Sequence, residues 1–258
     1  MGNQLKIGSI KPVLSTGYIG FYPSFQPAAD LQMTDQSGKV NHAAFGADLT
    51  GSEAWSTLLN YYSTPEDVGG TQANAAQLAI GTGFVFAPTT ESLLIFAKVK
   101  ITAPAGTRPL MGTSNGTPNQ GFGVKITTAG KARIDIHRAG ADVLLNASTT
   151  TVADGTLHSI AVGFDQATGK AYMWTDGVID AGYAGGTSIA AYTDWYPFTR
   201  AFAFGGTGHN SAKVLSMAQS SFGWHLLKRT GGLPSNIDTI VARLHQNPSI
   251  PLAATEWA

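Results

Sequence analysis

With 258 residues, 43% of them hydrophobic, the chain is long enough to bury a substantial core, and its 31 glycines read as turn residues, not as a mark of disorder. Sixteen basic and sixteen acidic residues cancel, and only 12% of residues are charged, which argues against binding nucleic acid or an anionic membrane surface. The absence of cysteine excludes disulfides, thiolate catalysis and cysteine zinc sites.

Residues 1–16 read as an extended N-terminal arm. They contain no apolar run of signal-peptide length, and no stretch of the chain is apolar for long enough to insert in a bilayer. Synthesis and folding in a host cytoplasm, without export, is the expectation. From residue 17 onward, short strand-like runs alternate with turns. The run 17–23 is aromatic-rich, whereas 51–62 reads as a weak helix. In 93–101, Phe96, Lys98 and Lys100 point one way and Ala97, Val99 and Ile101 the other. The runs 121–128 and 132–138 flank a tight turn, and in the second Ala132, Ile134 and Ile136 alternate with Arg133, Asp135 and His137. Another strand follows at 141–148.

The segment 154–177 predicts a hairpin. His158, Ile160, Val162 and Phe164 share one face, and Leu157, Ser159, Ala161 and Gly163 the other. Asp165 to Gly169 form a loop whose last residue suits a positive φ; the chain returns through 170–175 and turns again at Asp176-Gly177. Further strands are expected at 200–206 and 218–229. A terminal helix over 235–248 starts at Ser235 or Asn236, carries an apolar stripe of Ile237, Ile240, Val241 and Leu244, and stops at Pro248. The expected fold is all-β: a two-sheet antiparallel jelly-roll sandwich with a short C-terminal helix, occupying residues 17–258 as one domain.

Four stretches in this order, at 17–49, 84–101, 154–177 and 220–245, resemble the concanavalin A-like lectin/glucanase superfamily in its laminin-G-like branch. In the third, the family's usual Trp-His pair is replaced by Leu157-His158. The resemblance implies two sheets packed face to face, with a concave face or rim loops open to ligands. It leaves function open, because function belongs to sites and not to folds.

Glycosidases of that fold place their carboxylates in a Glu-x-Asp-x-x-Glu pattern on one strand. Glu53, Glu66, Glu91 and Glu256 are the only glutamates and none lies in such a pattern. Asp135 and His137 share a strand face and form an acid/base candidate; the plainer reading is an exposed polar strand face. His158 reads as a packing residue with its ring nitrogens satisfied. No cofactor is required on this reading, although Asp35 followed by Asn41 offers hard oxygen ligands for calcium; the plainer reading of Asp35 is a turn that bonds its own backbone.

Sugar sites combine aromatic platforms with amide or carboxylate hydrogen-bonders. Tyr192, Asp194, Trp195 and Tyr196 form the richest such stretch, with Asn115, Asn119, His209 and Asn210 in other loops. The expected function is a non-enzymatic structural component of a virion, such as a bacteriophage capsid-decoration or fibre protein. Such a protein would be localised to the virion, homo-oligomeric, in contact with other virion proteins and open to surface glycans. A stand-alone carbohydrate-binding lectin module is the alternative, and a glycan-cleaving hydrolase the third reading.

Overall fold

Alternation of apolar and polar residues along short runs, punctuated by glycine turns, builds two stacked sheets. The computed structural model describes residues 15–23, 35–39, 86–104, 106–113, 121–138, 141–189 and 223–257, with short stretches at 32–33, 43–45, 54–56, 61–63, 76–78, 202–204 and 217–218. The strands in chain order are β1 (Tyr18–Tyr22), β2 (Gln32–Met33), β3 (Ala43–Phe45), β4 (Ala54–Ser56), β5 (Tyr61–Ser63), β6 (Ala76–Leu78), β7 (Glu91–Thr102), β8 (Arg108–Gly112) and β9 (Gly121–Ile126). They continue as β10 (Lys131–Arg138), β11 (Ala141–Thr151), β12 (Asp154–Asp165), β13 (Lys170–Thr175), β14 (Val178–Ile179), β15 (Thr187–Ser188), β16 (Ala203–Phe204), β17 (Met217–Ala218) and β18 (Trp224–Thr230). A 3₁₀ turn at Ala181–Tyr183 and one helix, α1 (Ile237–Gln246), complete the described elements.

The first sheet runs β14-β13-β12-β7-β17-β5-β4, with β18 also on β7, β1 on β18 and β15 on β13. The second runs β11-β10-β9-β8-β16-β6-β3-β2. Every described pairing is antiparallel. The all-β sandwich with a C-terminal helix is therefore the observed architecture. The expected helix at 51–62 is corrected: its described parts are β4 and β5, with Trp55 opposite Tyr62. Aromatic residues fit a pleated sheet well, and cross-strand pairing overrides the weak helical spacing there. The run 218–229 holds parts of two strands, β17 and β18, which both pair with β7.

Strand β7 is buried on both faces from Leu93 to Ala97, while Lys98 is half-buried and Lys100 exposed on its outer face. Leu93, Ile95, Ala97, Val99 and Ile101 face the second sheet and pack with Ile160, Val162, Phe164, Phe122 and Ile134. Leu94 and Phe96 face the other way and pack with Ala161, Trp174, Ile240, Val241, Leu244, Leu252 and Trp257. The stripe on α1 and the C-terminal tail thus roof the first sheet. Each large apolar side chain so buried contributes about 1.5–3 kcal/mol.

Two polar devices lock these layers. Asp180, 2% exposed, accepts from Thr149 N at 2.8 Å, Gly182 N at 3.0 Å and Thr150 N at 3.2 Å. It ties the β14 end of the first sheet to β11, the edge of the second, and occupies edge donors that would otherwise invite another strand. Burial alone would raise its carboxyl pKa, but these backbone N–H groups outweigh burial and hold it below the ordinary carboxylate value.

The second device is His225, fully buried on β18. Its Nε2–H donates to Pro248 O at 2.7 Å, and its Nδ1 accepts from the Tyr18 hydroxyl at 2.7 Å. Leu252 N–H then donates to the Tyr18 oxygen at 2.8 Å. The relay joins β1, β18 and the tail, and only the neutral imidazole fits it, because Nδ1 must accept. Burial pushes the His225 pKa down to about 3.

This depressed value fixes the sign of a pH dependence. The unfolded chain takes up a proton near pH 6.5 and the folded chain does not, so stability falls as pH drops from 6.5 toward 3. Urea unfolding at pH 7 and pH 4 should differ by on the order of 3 kcal/mol from this residue. His225→Gln, which keeps one donor and one acceptor, should flatten that slope. An unchanged slope in the variant would contradict the assignment.

Candidate functional site

Alternation along β13 sends Ala171 and Met173 into the sandwich core and Tyr172 and Trp174 to the outer face of the first sheet. The neighbouring strand β12 makes room for them. Ala161 lies opposite Trp174 and Gly163 opposite Tyr172. A Cβ on Gly163 would come within 3.0 Å of both Trp174 Cζ3 and Leu233 Cδ1, so glycine is what admits the indole there. The turn after β13 is Asp176-Gly177 with φ of 52° and 81°, the two positive values that a two-residue hairpin of this hand requires.

The helix closes the other side. Trp174 Nε1–H donates to Asp238 Oδ1 at 2.7 Å, fixing the first turn of α1 over β13. Between them lies a groove of about 280 Å³, lined by the apolar or aromatic side chains of Tyr172, Trp174, Ile179, Leu233 and Ile237 and by the polar Asp165, Ser235 and Asp238. Trp174 is buried behind the half-buried Tyr172, the ring centroids 5.9 Å apart and tilted by 30°. Asp165 anchors the hairpin loop beside it, accepting from Thr168 Oγ1 at 2.6 Å, Leu233 N at 3.1 Å and Ala167 N at 3.2 Å.

A polar cluster sits at the opposite end of the same hairpin. His158 Nδ1 donates to Asp176 Oδ2 at 2.7 Å, and its Nε2 lies 3.0 Å from Thr156 Oγ1 and 3.2 Å from Asp154 Oδ1. Ser159 Oγ bonds His245 Nδ1 of α1 at 2.8 Å, and Lys98 Nζ donates to His245 O at 3.1 Å. Burial opposes a charge on His158, but Asp176 and then Asp154 outweigh it and raise its pKa. Hydrogen bonds from Thr156 draw Asp154 down to about 2. His245 is shifted the other way, by burial and by Lys98. The ring nitrogens of His158 are indeed satisfied, and the cluster pins the C-terminal end of α1 to the sheet.

The expected site residues fall differently. Tyr192, Asp194, Trp195, Tyr196, Asn115, Asn119, His209, Asn210 and Asn41 lie outside the described residues. The strand ends that flank 114–120 and 190–201 are neighbours: Gly112 pairs with both Gly123 and Ala203, and Gly121 with His137. Asp35 accepts from Phe21 N and Ser37 N at 2.8 Å each and from Ser37 Oγ at 2.7 Å. It closes a turn, and no group of three His, Asp or Glu able to hold a metal occurs among the described residues.

The reading of Asp135 as part of an exposed polar face is corrected. Its side chain has no exposure and is held by Arg133 Nε at 2.7 Å and Lys125 Nζ at 2.8 Å. The two cations hold this carboxylate within the sheet, bridging β9 and β10. The hairpin expected at 154–177 is observed as β12 and β13, and Tyr172 and Trp174 on its outer face line the groove. Their i, i+2 spacing opposite the small residues Ala161 and Gly163 was the signal.

No family model matches the chain, and no curated protein does. A solved sialidase shares its fold. Trypanosoma rangeli sialidase in complex with the inhibitor DANA gives a TM-score of 0.56 at 16% identity, covering 90% of this chain and 33% of that one. The same sialidase in complex with 2,3-difluorosialic acid gives 0.58 at 15% identity, with the same coverage. The CBM40 of Ruminococcus gnavus IT-sialidase bound to α2,3-sialyllactose gives 0.45 at 15% identity, covering 66% of this chain and 96% of that one. The chain thus spans about a third of the length of the T. rangeli sialidase. The expectation of a chain without catalysis is corrected by these sialidase matches. It rested in part on a missing carboxylate pattern, and because sialidases use a tyrosine nucleophile, that pattern does not exclude them.

A histidine NMR titration checks the electrostatics. His158 should titrate above the ordinary histidine value, so its pairing supports the fold at lower pH and weakens as pH rises through that raised value. His225 should stay neutral until close to pH 3. A His158 titration below 6.5 would contradict the ion-paired geometry.

Proposed function

We propose that the chain is a carbohydrate-binding, lectin-like sandwich of the concanavalin A-like type, holding a sugar ring in the groove between β13 and the first turn of α1. The groove itself carries this reading. Its volume of about 280 Å³ is on the scale of a single sugar ring, just below the usual range for drug-sized ligands. Its aromatic Tyr172 suits the C–H face of a pyranose, and the Asp238 carboxylate suits a ring hydroxyl. The sialidase that shares the fold is solved with sialic acid bound, which supports a sandwich found in proteins that handle glycans. The virion reading has no counterpart among those structures, and the lectin reading replaces it.

Tyr172→Ala removes the wall without touching the sandwich core. On a glycan array the variant should lose binding by at least about tenfold, with a melting temperature lowered by only a few degrees. Trp195→Ala, in the loop stretch singled out from sequence, should leave binding intact. Retained binding in Tyr172→Ala together with loss in Trp195→Ala would move the site to that loop.

A further inference from the structure

We infer that the groove selects an uncharged sugar ring and rejects sialosides and uronic acids, an inference that rests on the carbohydrate reading above. Two of the residues that line the groove, Asp165 and Asp238, carry carboxylates, and among the described residues no Lys, Arg or His lines it. The neighbouring cation Lys170 has its Nζ committed to Gly185 O at 2.8 Å. Asp165 is held as an acceptor by the two backbone N–H groups and the threonine hydroxyl described above.

Asp238 has a divided role. Its Oδ1 accepts from Trp174 Nε1, and Oδ2 has no protein partner among the described residues. A sugar hydroxyl donates to such an oxygen, and the bond is charge-assisted. A ligand carboxylate brings no donor and adds a third negative charge where no lining side chain compensates it. The first turn of α1 offers a weak positive field, but Asp238 stands in that turn and offsets it. Ser235, the remaining polar lining residue, is neutral and can serve either ligand. The fold shared with sialidases therefore does not bring their anionic ligand with it.

The test uses an array on which each neutral oligosaccharide stands beside its α2,3-sialylated counterpart and beside an analogue whose terminal hexose is oxidised to the uronic acid. The uronic acid changes charge at almost constant shape, which separates charge from steric capping. The full chain should bind neutral members at least about tenfold better than their uronic acid analogues, the scale of one like-charge contact near a protein surface. Asp238→Asn keeps the acceptor for Trp174 and should narrow that ratio to about threefold or less, with tryptophan fluorescence unchanged. Equal or tighter binding of the acidic members by the natural chain overturns the inference, as does an unchanged ratio in Asp238→Asn. Absence of binding to every member overturns the carbohydrate reading itself, and this inference with it.

Discussion

The antiparallel pairing of β7 with β12 is the constraint on which the rest of the structure depends. From Leu93–Phe164 to Val99–His158 the two strands run in uninterrupted register, and β7 is buried on both faces from Leu93 to Ala97. A sheet covered twice needs apolar side chains on both sides, which explains why α1 and the C-terminal tail belong to the core and are not an appendage. It also explains the buried relay through His225 and Tyr18: a tail packed against a sheet must satisfy its backbone groups internally, and Leu252 N and Pro248 O find those partners there.

The same constraint places the groove. Helix α1 roofs the outer face only as far as its first turn, where Trp174 meets Asp238. Past that point Tyr172 is left half-buried, with no helix above it to complete its packing. The two ends of α1 are secured differently: an indole–carboxylate bond at the groove, and the Ser159–His245 and Lys98–His245 bonds at the far end. Both ends are anchored to the hairpin of β12 and β13 or to its neighbour β7.

Much of this was legible in the sequence, for identifiable reasons. Period-two alternation gave the strands from 93 onward, glycine and Asp-Gly pairs gave the hairpin turns, and the stripe of Ile237, Ile240, Val241 and Leu244 gave the helix. Two features were not legible. Asp135 sits in an alternating polar register, and nothing in that spacing tells an exposed carboxylate from one enclosed by Lys125 and Arg133. The groove needs Trp174 and Asp238, 64 positions apart, to meet; the hairpin alone shows two aromatics on one face and gives no hint of what covers them.

The central claim is that a sugar ring is held between Tyr172 and the first turn of α1. The most direct measurement is an NMR titration with a neutral glycan, following the Trp174 indole N–H and the amides of Ile237, Asp238 and Leu233. The account predicts saturable shifts confined to these signals and to Tyr172, with the amides around His158 and Asp176 unmoved. Shifts that bypass Trp174 and α1 and gather instead at Thr113, Gly121 and Phe202 would contradict it.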